Sequence, residues 1–567
     1  MRQWMVAAKK ADFYVIAEKF HVDPVVARII RNREVIGEKN IRIYLGGNLS
    51  DLSDPHQMKD MDRLVEILAQ KIRKQVHIRI IGDYDVDGVT SSHLFLTALR
   101  RVGAKVDVVI PHRIQDGYGL SLHLLQQAKE DGVDTILTCD NGIAAIDEIA
   151  WAKAQKMTVL VTDHHAVPFE EHEGRRTEKK SLADAVVNPH QQDCGYPYKE
   201  LCGAGVAWNV IRVLYENYDM DKREAEDLLD FVAMATVCDV MSLTGENRIL
   251  VKEGLKRIRH TKNIGLQALM QACNVQPENI CAYHFGYVLG PCVNATGRLD
   301  TARHALRLFE TGQETEAEEI ARDLVDLNQE RKELTLQGVE MAKKLCEEGG
   351  YENDPVLVLF LPDVHESIAG LIAGRIREMY NRPVFVLTRG EEGVKGSGRS
   401  TENYSMYENM CGCAELFTKF GGHPMAAGLS LPEENVEKFR RKINENCPLT
   451  VEEVCPDIHI DMAMPVGYAS TELIHQFALL EPFGKDNPSP LFADRNLSIS
   501  RMWLIGKNRN VLRMSVLSEY GQPVPVIFFG DVETLFAYFT EKFGQEEVEN
   551  ALHGRKNRIL FSMVYTA

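Results

Sequence analysis

Short apolar runs alternate with helically patterned segments between residues 76 and 190. The runs are VHIRIIG (76–82), VDVVI (106–110), DTILTC (134–139), MTVLVT (157–162) and ADAVV (183–187), each leading into a polar cluster. Strands separated by helices predict a mostly parallel sheet covered on both faces, and in such sheets ligands bind beyond the carboxyl ends of the strands. Residues 200–300 read as helical, with one helix starting at Gly203 and another, FVAMATVCDVMSL, starting at Phe231 and apolar except for Asp239. Ile320, Leu324, Leu327 and Leu334 recur at helical spacing within 314–348 and predict one long amphipathic helix stopped at Gly349-Gly350.

A second α/β unit is expected from PVLVLFLP to about residue 450, with glycine-rich loops at GVKGSGRS (393–400) and FGGHPMAAG (420–428). Beyond it, SISRMWLIG, NVLRMSVLS and VPVIFF are short alternating runs separated by turn residues, the pattern of a small β-barrel. The expected division is an N-terminal segment (1–50), a first α/β domain (51–300), a connecting helix (301–349), a second α/β domain (350–450) and the barrel (451–567).

Length agrees with that division, since 567 residues exceed one core and domains of roughly 100–200 residues suggest three or four units. With 45% hydrophobic and 26% charged residues the composition is that of a soluble globular protein. The first twenty residues carry charges throughout and lack an apolar signal core, and no apolar run approaches the roughly 18–20 residues of a membrane span, so a cytoplasmic location is expected. The 12 cysteines include no C-x-x-C pair and read as reduced thiols; Cys411 and Cys413 in MCGC read as core cysteines. A formal charge of −17 argues against coating DNA by bulk attraction, yet carboxylates that bind cations inflate that count and leave room for a local basic channel.

Chemistry enters at the residues just beyond each strand. The first run leads into Asp83-Tyr84-Asp85-Val86-Asp87-Gly88, the second into Pro111-His112-Arg113, the third into Asp140-Asn141-Gly142, the fourth into Asp163-His164-His165 and the fifth into Asn188-Pro189. One sheet edge therefore collects nearly every ionisable group of interest. Three bare carboxylates in one cluster repel and raise one another's pKa, a conflict that a divalent cation resolves. Oxygen ligands with imidazole suit Mg²⁺ or Mn²⁺, and Asp85, Asp87, Asp140, His164 and Asp239 are enough for two ions sharing a ligand, the arrangement used for in-line displacement at phosphorus. A lone D-x-D is ordinarily a solvated loop or an N-cap and a lone His-His pair is ordinarily surface; Asp239, in an apolar helix, needs a partner to be buried.

DYDVDG, DNG, DHH and CDV in this order resemble the motifs of the DHH phosphoesterase superfamily. PHRIQDGYGLS, VVNPHQ, CGAGVAW, NATGRLDTA, LNQER, GSGRS, FGGHPMAAG and LEPFGKDNPSPLF extend the resemblance to its RecJ family over nearly the whole chain. The resemblance implies a DHH domain, a DHH-associated domain and a C-terminal OB fold. It also implies a single-stranded-DNA-specific 5′-to-3′ exonuclease of repair and recombination that releases mononucleotides with two Mn²⁺ or Mg²⁺ ions. By it the metal ligands are Asp85, Asp87, Asp140, His164 and Asp239, with Asp140 bridging; Asp83 and His165 are supporting catalytic groups; and Arg113, Ser397 and Arg399 hold the 5′ end of the strand. His423 is a further candidate for contact with nucleic acid, or a cap of the sheet.

His165 can contact the scissile phosphate or protonate the departing oxygen, or else orient His164 by a hydrogen bond. Glycines in GSGRS let backbone amides approach a phosphate on which Arg399 can fork. In the barrel Trp503 and the pair Phe528-Phe529 are candidates for base stacking, although a pair in VIFFG reads as core. The family often shows an arginine within GP-x-x-NA, where this chain has Cys292, and HESIAGLIAGRI (365–376) departs from the usual His-Pro-Gly run, which bears on substrate grip rather than on the metal core. Single-strand binding protein and a helicase are partners that the family implies without a legible motif. Two other functions are weighed: a DHH phosphodiesterase of short oligoribonucleotides or cyclic dinucleotides, against which the barrel argues, and a non-catalytic DNA-binding scaffold, against which the full ligand set argues.

Overall fold

β-branched runs bounded by polar turns become the strands of the first sheet. The computed structural model describes residues 4–567 apart from 114, 115, 117, 118, 173, 174, 352, 391, 392, 456 and 507–510. Strands β1 (His77–Ile81), β2 (Lys105–Val109), β3 (Thr135–Cys139), β4 (Thr158–Thr162) and β5 (Ala185–Val187) form a five-stranded sheet in the order β2-β1-β3-β4-β5. Every neighbouring pair is parallel, which places the five strand ends, and the polar groups beyond them, along one edge.

Helix α1 (Val86–Arg101) leaves β1 with its first eleven residues buried, although Thr90, Ser91, Ser92 and His93 are polar. Small hydroxyls allow this, because Thr90 Oγ1 donates to the Val86 carbonyl at 2.6 Å and Ser92 Oγ to the Gly88 carbonyl at 2.7 Å, so neither of these donors is stranded. Helices α2 (Gly203–Asn217) and α3 (Leu229–Cys238) pack with α1 around Phe95, Trp208 and Phe231 in the largest core. α3 is shorter than its apolar run predicts, ending at Cys238 with Asp239 as its C-cap. Val240 then takes a left-handed φ of 55° and the Met241 amide closes back on the Thr236 carbonyl at 3.1 Å, so Asp239 leaves the helix axis at its end rather than lying within an apolar helix.

Helix α4 (Gly290–Leu299) precedes α5 (Glu314–Glu348), the long helix expected, of 35 residues. Ile320 and Leu324 are buried, while Leu327 and Leu334 are half-buried. Strands β6 (Leu357–Phe360), β7 (Val384–Arg389), β8 (Val394–Arg399), β9 (Lys419–His423) and β10 (Ala426–Leu431) build the second sheet, ordered β9-β10-β8-β7-β6, with helix α6 (Ala369–Tyr380) against it.

Here the two glycine-rich loops need correction. GVKGSGRS is the central strand β8, and FGGHPMAAG is the hairpin of β9 and β10. Ser397 pairs with Val386 on one side and Gly428 on the other, so this backbone is occupied by the sheet instead of cradling a phosphate. Glycines serve packing there: a Cβ on Gly396 would meet Leu387 Cδ2 at 2.4 Å, and one on Gly398 would meet Met406 Sδ at 2.3 Å.

The chain divides into two compact units, one of Gly47–Pro456 with Gly484–Asn487, the other of Arg2–Gly46, Asp457–Phe483 and Pro488–Ala567. In the second, β11 (Phe492–Ile505), β12 (Val511–Leu517) and β13 (Pro523–Phe528) pair antiparallel, and β14 (Leu560–Tyr565) pairs with the first half of β11. Helices at Phe13–Phe20, Pro24–Asn32 and Glu38–Gly46 bury Val26, Ile29, Ile30 and Tyr44 against Leu473, Phe477 and Phe492. Arg33 forks onto Asp461 at 2.8 and 3.0 Å, so residues near the start of the chain complete the core near its end. Among the described residues no helix is long and apolar enough to cross a membrane.

Candidate metal centre

Asp85 sits where β1 ends and α1 begins, and its carboxylate accepts from the Gly88 amide at 3.0 Å as the N-cap. Asp87, in the first turn of α1, is turned inward to the start of α2. The N-cap position of α2 is Cys202, whose side chain makes no cap bond; Asp87 takes over, accepting the Gly203 and Ala204 amides at 2.6 and 2.7 Å. A helix N-terminus thus steadies this carboxylate through two amides and its dipole. Only glycine fits at 203, because a Cβ there would lie 2.6 Å from Asp140 Cβ.

Asp140 follows β3 with a left-handed φ of 61° and is buried. Asn141 anchors that turn by donating to the Ile81 and Cys139 carbonyls at 3.0 and 2.9 Å. Beyond β4, Asp163 is a fastening point that its motif does not reveal: its carboxylate accepts the amides of Ile143, His164 and His165 at 2.9, 2.7 and 3.1 Å and His165 Nδ1 at 2.8 Å. The Asp-His-His triplet therefore works as one clamp and two presented imidazoles.

The ligand candidates converge. His164 Nε2 lies 3.1 Å from Asp140 Oδ1, 3.6 Å from Asp239 Oδ2 and 3.7 Å from Asp87 Oδ2. Three sets of potential ligand atoms, Asp87/His164/Asp239, Asp140/His164/His165 and Asp83/Asp85/Asp140, each fall within 4.8 Å. Asp140 and His164 each belong to two of them. Burial first, and then the crowding of neighbouring carboxylates, push Asp83, Asp140 and Asp239 well above the usual carboxylate range, and Asp85 upward as well. Burial lowers His164, keeping its imidazole neutral and able to donate a lone pair. The buried His164 Nε2 and Asp83 Oδ1 have no hydrogen-bond partner among the described residues. Crowded carboxylates and an imidazole nitrogen left over in a buried site fit divalent cations.

His165 differs from its neighbour. Burial pulls its pKa down, but the Asp163 hydrogen bond and charge, with Asp239 and Asp87 beyond, outweigh it and raise the ring to about 9. Its side chain is 40% exposed and lines a cavity of about 340 Å³ with Asn141, Gly142, Asp163 and His423. His423, exposed at the end of β9, thus looks toward the metal-centre loops.

A second cavity, of about 400 Å³, is lined by Tyr84, Arg113, Ser367, Lys395, Ser397 and Lys419, among others. Tyr84 stands between Asp83 and Asp85, so this cavity adjoins the carboxylate cluster. Arg113 lies over the Tyr84 ring at 4.9 Å; the stretch PHRIQDGYGLS includes residues 114, 115, 117 and 118, which are outside the described residues. Burial, then the charge of Arg113, lowers Arg399, and burial with Arg113, Arg331 and Arg399 lowers Arg298 to about 10. Guanidiniums that depress one another form the mirror image of the carboxylate cluster and favour an anion. Arg298 was missed from sequence, since nothing in NATGR tells that its Nη1 reaches the Ser367 carbonyl at 2.7 Å and brings it beside Arg113 and Arg399. In the second unit Trp503 is half-buried with Arg501 and Arg513 at 5.0 and 5.8 Å from its ring. Phe529 is 80% exposed, against the expectation that Phe528-Phe529 is core, because only Phe528 points into the apolar cluster.

Family models match in the same order as these parts: the DHH family N-terminal domain over residues 77–236, the DHHA1 domain over 353–447 and the RecJ OB domain over 460–561. The single-stranded-DNA-specific exonuclease RecJ of Haemophilus influenzae is 34% identical over 518 residues, 88% of this chain and 88% of that protein. Its counterpart in Bacillus subtilis is 33% identical over 511 residues, covering 89% of this chain but only 63% of the relative, which is longer. The crystal structure of RecJ in complex with Mn²⁺ from Thermus thermophilus superposes with a TM-score of 0.78 at 27% identity, over 94% of this chain and 74% of that one. With three domain models in order, and an identity held through nearly the full length of one relative, the chain belongs to the RecJ family of DHH proteins.

Proposed function

We propose that this chain is a metal-dependent, single-stranded-DNA-specific exonuclease that digests from the 5′ end and releases mononucleotides, acting in the cytoplasm in repair and recombination. The observation that carries it is the adjacency of the carboxylate cluster to a cavity lined by Arg113, Lys395 and Lys419, with Tyr84 belonging to the wall of one and the loop of the other. A terminal phosphate held beside the cutting centre makes the cut one residue in from an end, which is what an exonuclease does. The 5′ direction rests on the family.

In this reading Asp85, Asp87, Asp140, His164 and Asp239 would hold two Mn²⁺ or Mg²⁺ ions, and Asp140, which belongs to two of the candidate ligand sets, would serve both. Bound ions of this kind lower the pKa of water and neutralise charge at phosphorus. The chain's own groups do the rest. Asp163 fixes the His165 ring and the backbone of both histidines, and the α2 amides hold the Asp87 carboxylate in place. His165, cationic at neutral pH and partly exposed, sets positive charge near the scissile phosphate and has a proton to give the departing oxygen. Asp83 is a buried acid whose raised pKa lets it hold a proton close to that exchange. Arg113, Ser397 and Arg399, joined by Arg298, grip the terminal phosphate, and His423 contacts the strand from across the His165 cavity. The division into 51–300, 350–450 and 451–567, with Trp503 and Phe529 stacking bases on the OB domain, belongs to the same proposal, as do single-strand binding protein and a helicase as partners.

The test is hydrolysis of a long 5′-labelled single strand, a duplex and a dinucleotide, each with Mn²⁺. The single strand should lose its label as a mononucleotide, and Asp140→Asn should slow this by roughly 10²–10³ or more, the scale of losing one electrostatic stabiliser. Preference for the dinucleotide, or undiminished cutting by Asp140→Asn, refutes the reading.

A further inference from the structure

Cys273 and Cys292 form a pair that the proposed hydrolysis does not use. Cys273 ends the helix Ile264–Ala272 and Cys292 lies in the first turn of α4, yet their sulfurs are 3.8 Å apart. Both are free thiols. Cys292 is 2% exposed and Cys273 is half-buried. Asn328, from α5, donates its Nδ2 to Cys292 Sγ at 3.3 Å. The contact between the two thiols, with Asn328 and the charges of Lys332 and Arg331, outweighs burial and holds Cys292 below the ordinary thiol range; the same contact, with burial, pushes Cys273 up, and the Cys292 thiol also reaches the Val288 carbonyl at 3.3 Å. One sulfur inclined to ionise and a second thiol beside it are the two parts of a disulfide-forming site, an attacking and a resolving sulfur.

Position gives the pair its consequence. α4 is tied to the metal loop and to the anion cavity at three places. Asn294 Oδ1 accepts the amide of Val86, between Asp85 and Asp87, at 3.2 Å. Gly297 lies so close to Tyr84 that a Cβ would meet its carbonyl oxygen at 2.4 Å. Arg298 reaches the Ser367 carbonyl at 2.7 Å. Closing a disulfide brings the sulfurs from 3.8 Å to about 2.05 Å, and whatever part of that closure side-chain rotation does not supply must come from the start of α4 or the helix Ile264–Ala272. Cores answer such strain by shifting packed elements, and a misplacement of about 1 Å in a catalytic constellation costs on the order of 10²-fold.

We infer that Cys273 and Cys292 are a peroxide-responsive modification site whose disulfide displaces α4 and reversibly lowers hydrolysis. The Cys292 thiolate attacks hydrogen peroxide: an S–O bond forms, the O–O bond breaks, and the departing hydroxide takes a proton from solvent to become water. Cys273 sulfur then attacks the sulfenic sulfur; the S–S bond forms, the S–O bond breaks, and the hydroxide leaves as water with the Cys273 proton. Two thiols are oxidised by two electrons, which reduce one peroxide to two waters. The site rests on this chain's own Cys292, and its effect on rate rests on the nuclease reading above.

The experiment treats the Mg²⁺-loaded full chain with hydrogen peroxide, removes the peroxide, and then measures both peptides and activity. A proteolytic peptide joining Cys273 to Cys292 is expected, with a roughly 10- to 100-fold fall in single-strand hydrolysis that a dithiol reductant restores. Cys273→Ser, and independently Cys292→Ser, should keep their untreated rates after peroxide. The inference fails if no joined peptide forms while the exposed Cys411 is oxidised, if the joined protein cuts at the untreated rate, or if Cys273→Ser is inactivated as fast as the parent. Activity of the reduced protein is measured first, so that an inactive reduced chain sinks the nuclease reading while the joined peptide still decides the dithiol.

Discussion

At the scale of single residues, the chain keeps charge in places where water cannot help it. Asp83, Asp140 and Asp239 are raised first by burial and then by neighbouring carboxylates, Asp85 for all three and Asp87 for the last two, so in the absence of cations each takes up protons at a higher pH than an exposed carboxyl. Cation binding must displace those protons. Mn²⁺ affinity is therefore expected to fall as pH drops through the weakly acidic range, with proton release on binding that calorimetry in buffers of different ionisation enthalpy detects. His164→Ala should abolish that binding, whereas His165→Ala should leave it within a few-fold and lower the rate. Away from the site, burial raises Asp230 to about 6, against its hydrogen bonds from Thr261 and the Phe231 amide. The folded state then binds the proton more tightly than the unfolded one. Stability from this group is full below the unfolded value of ~4 and is lost as pH rises through about 6. Asp230→Asn, which cannot ionise, should gain about 3 kcal/mol on its parent between pH 4 and 7, read from urea midpoints with chelator present. Single residues were legible where a local pattern isolated them: Asp85, Asp87 and Asp140 follow apolar runs in the sequence, and in the fold they lie just beyond β1 and β3, Asp87 within the first turn of α1. Asp163 was legible as a motif but not as a clamp, because its value lies in four donors from two loops.

At the scale of elements, ends matter more than interiors. β1, β3 and β4 end where their apolar runs end, and helix α2 begins at Gly203 as its pattern begins. What the α2 start does was not legible: its amides hold a carboxylate from another helix. Gly203→Ala should push Asp140 and Asp87 apart and weaken Mn²⁺ binding by at least about tenfold, the loss seen when an outer partner of a ligand is removed; affinity equal to the parent's would show that the loop yields freely. Glycine-rich strand β8 shows the opposite failure. Glycine density reads as a turn, but in β8 the missing side chains make room for Leu387 and Met406, a demand set by packing partners that the glycine run itself does not contain.

At the scale of the molecule, charge is sorted by location rather than by total. A net −17 coexists with Arg113, Arg298 and Arg399 close enough together in the first unit that Arg113 depresses both of the others. Arg399→Ala should weaken single-strand binding and reduce the slope of log Kd against log salt by about one, since one fewer phosphate contact releases one fewer counterion; an unchanged slope removes Arg399 from the substrate path. In the second unit Arg33 and Asp461 are both nearly buried, and breaking such a pair strands a charge. Arg33→Ala should destabilise that unit by about 3 kcal/mol, seen as an earlier unfolding transition with Mn²⁺ binding by the first unit preserved.

The amino-acid sequence alone determined the parallel strands, the long helix and the line of acidic and imidazole residues at one sheet edge, because periods of two and 3.6 and strand-ending polar residues are written within a few neighbours. Tertiary structure decided which of those groups meet. It turned Asp239 out at a helix end, set the α2 amides on Asp87, gathered three arginines from distant segments, joined Arg33 to Asp461 and brought Cys273 to Cys292. Each of these depends on where separate helices and strands pack against one another, and no window of neighbouring residues contains that information.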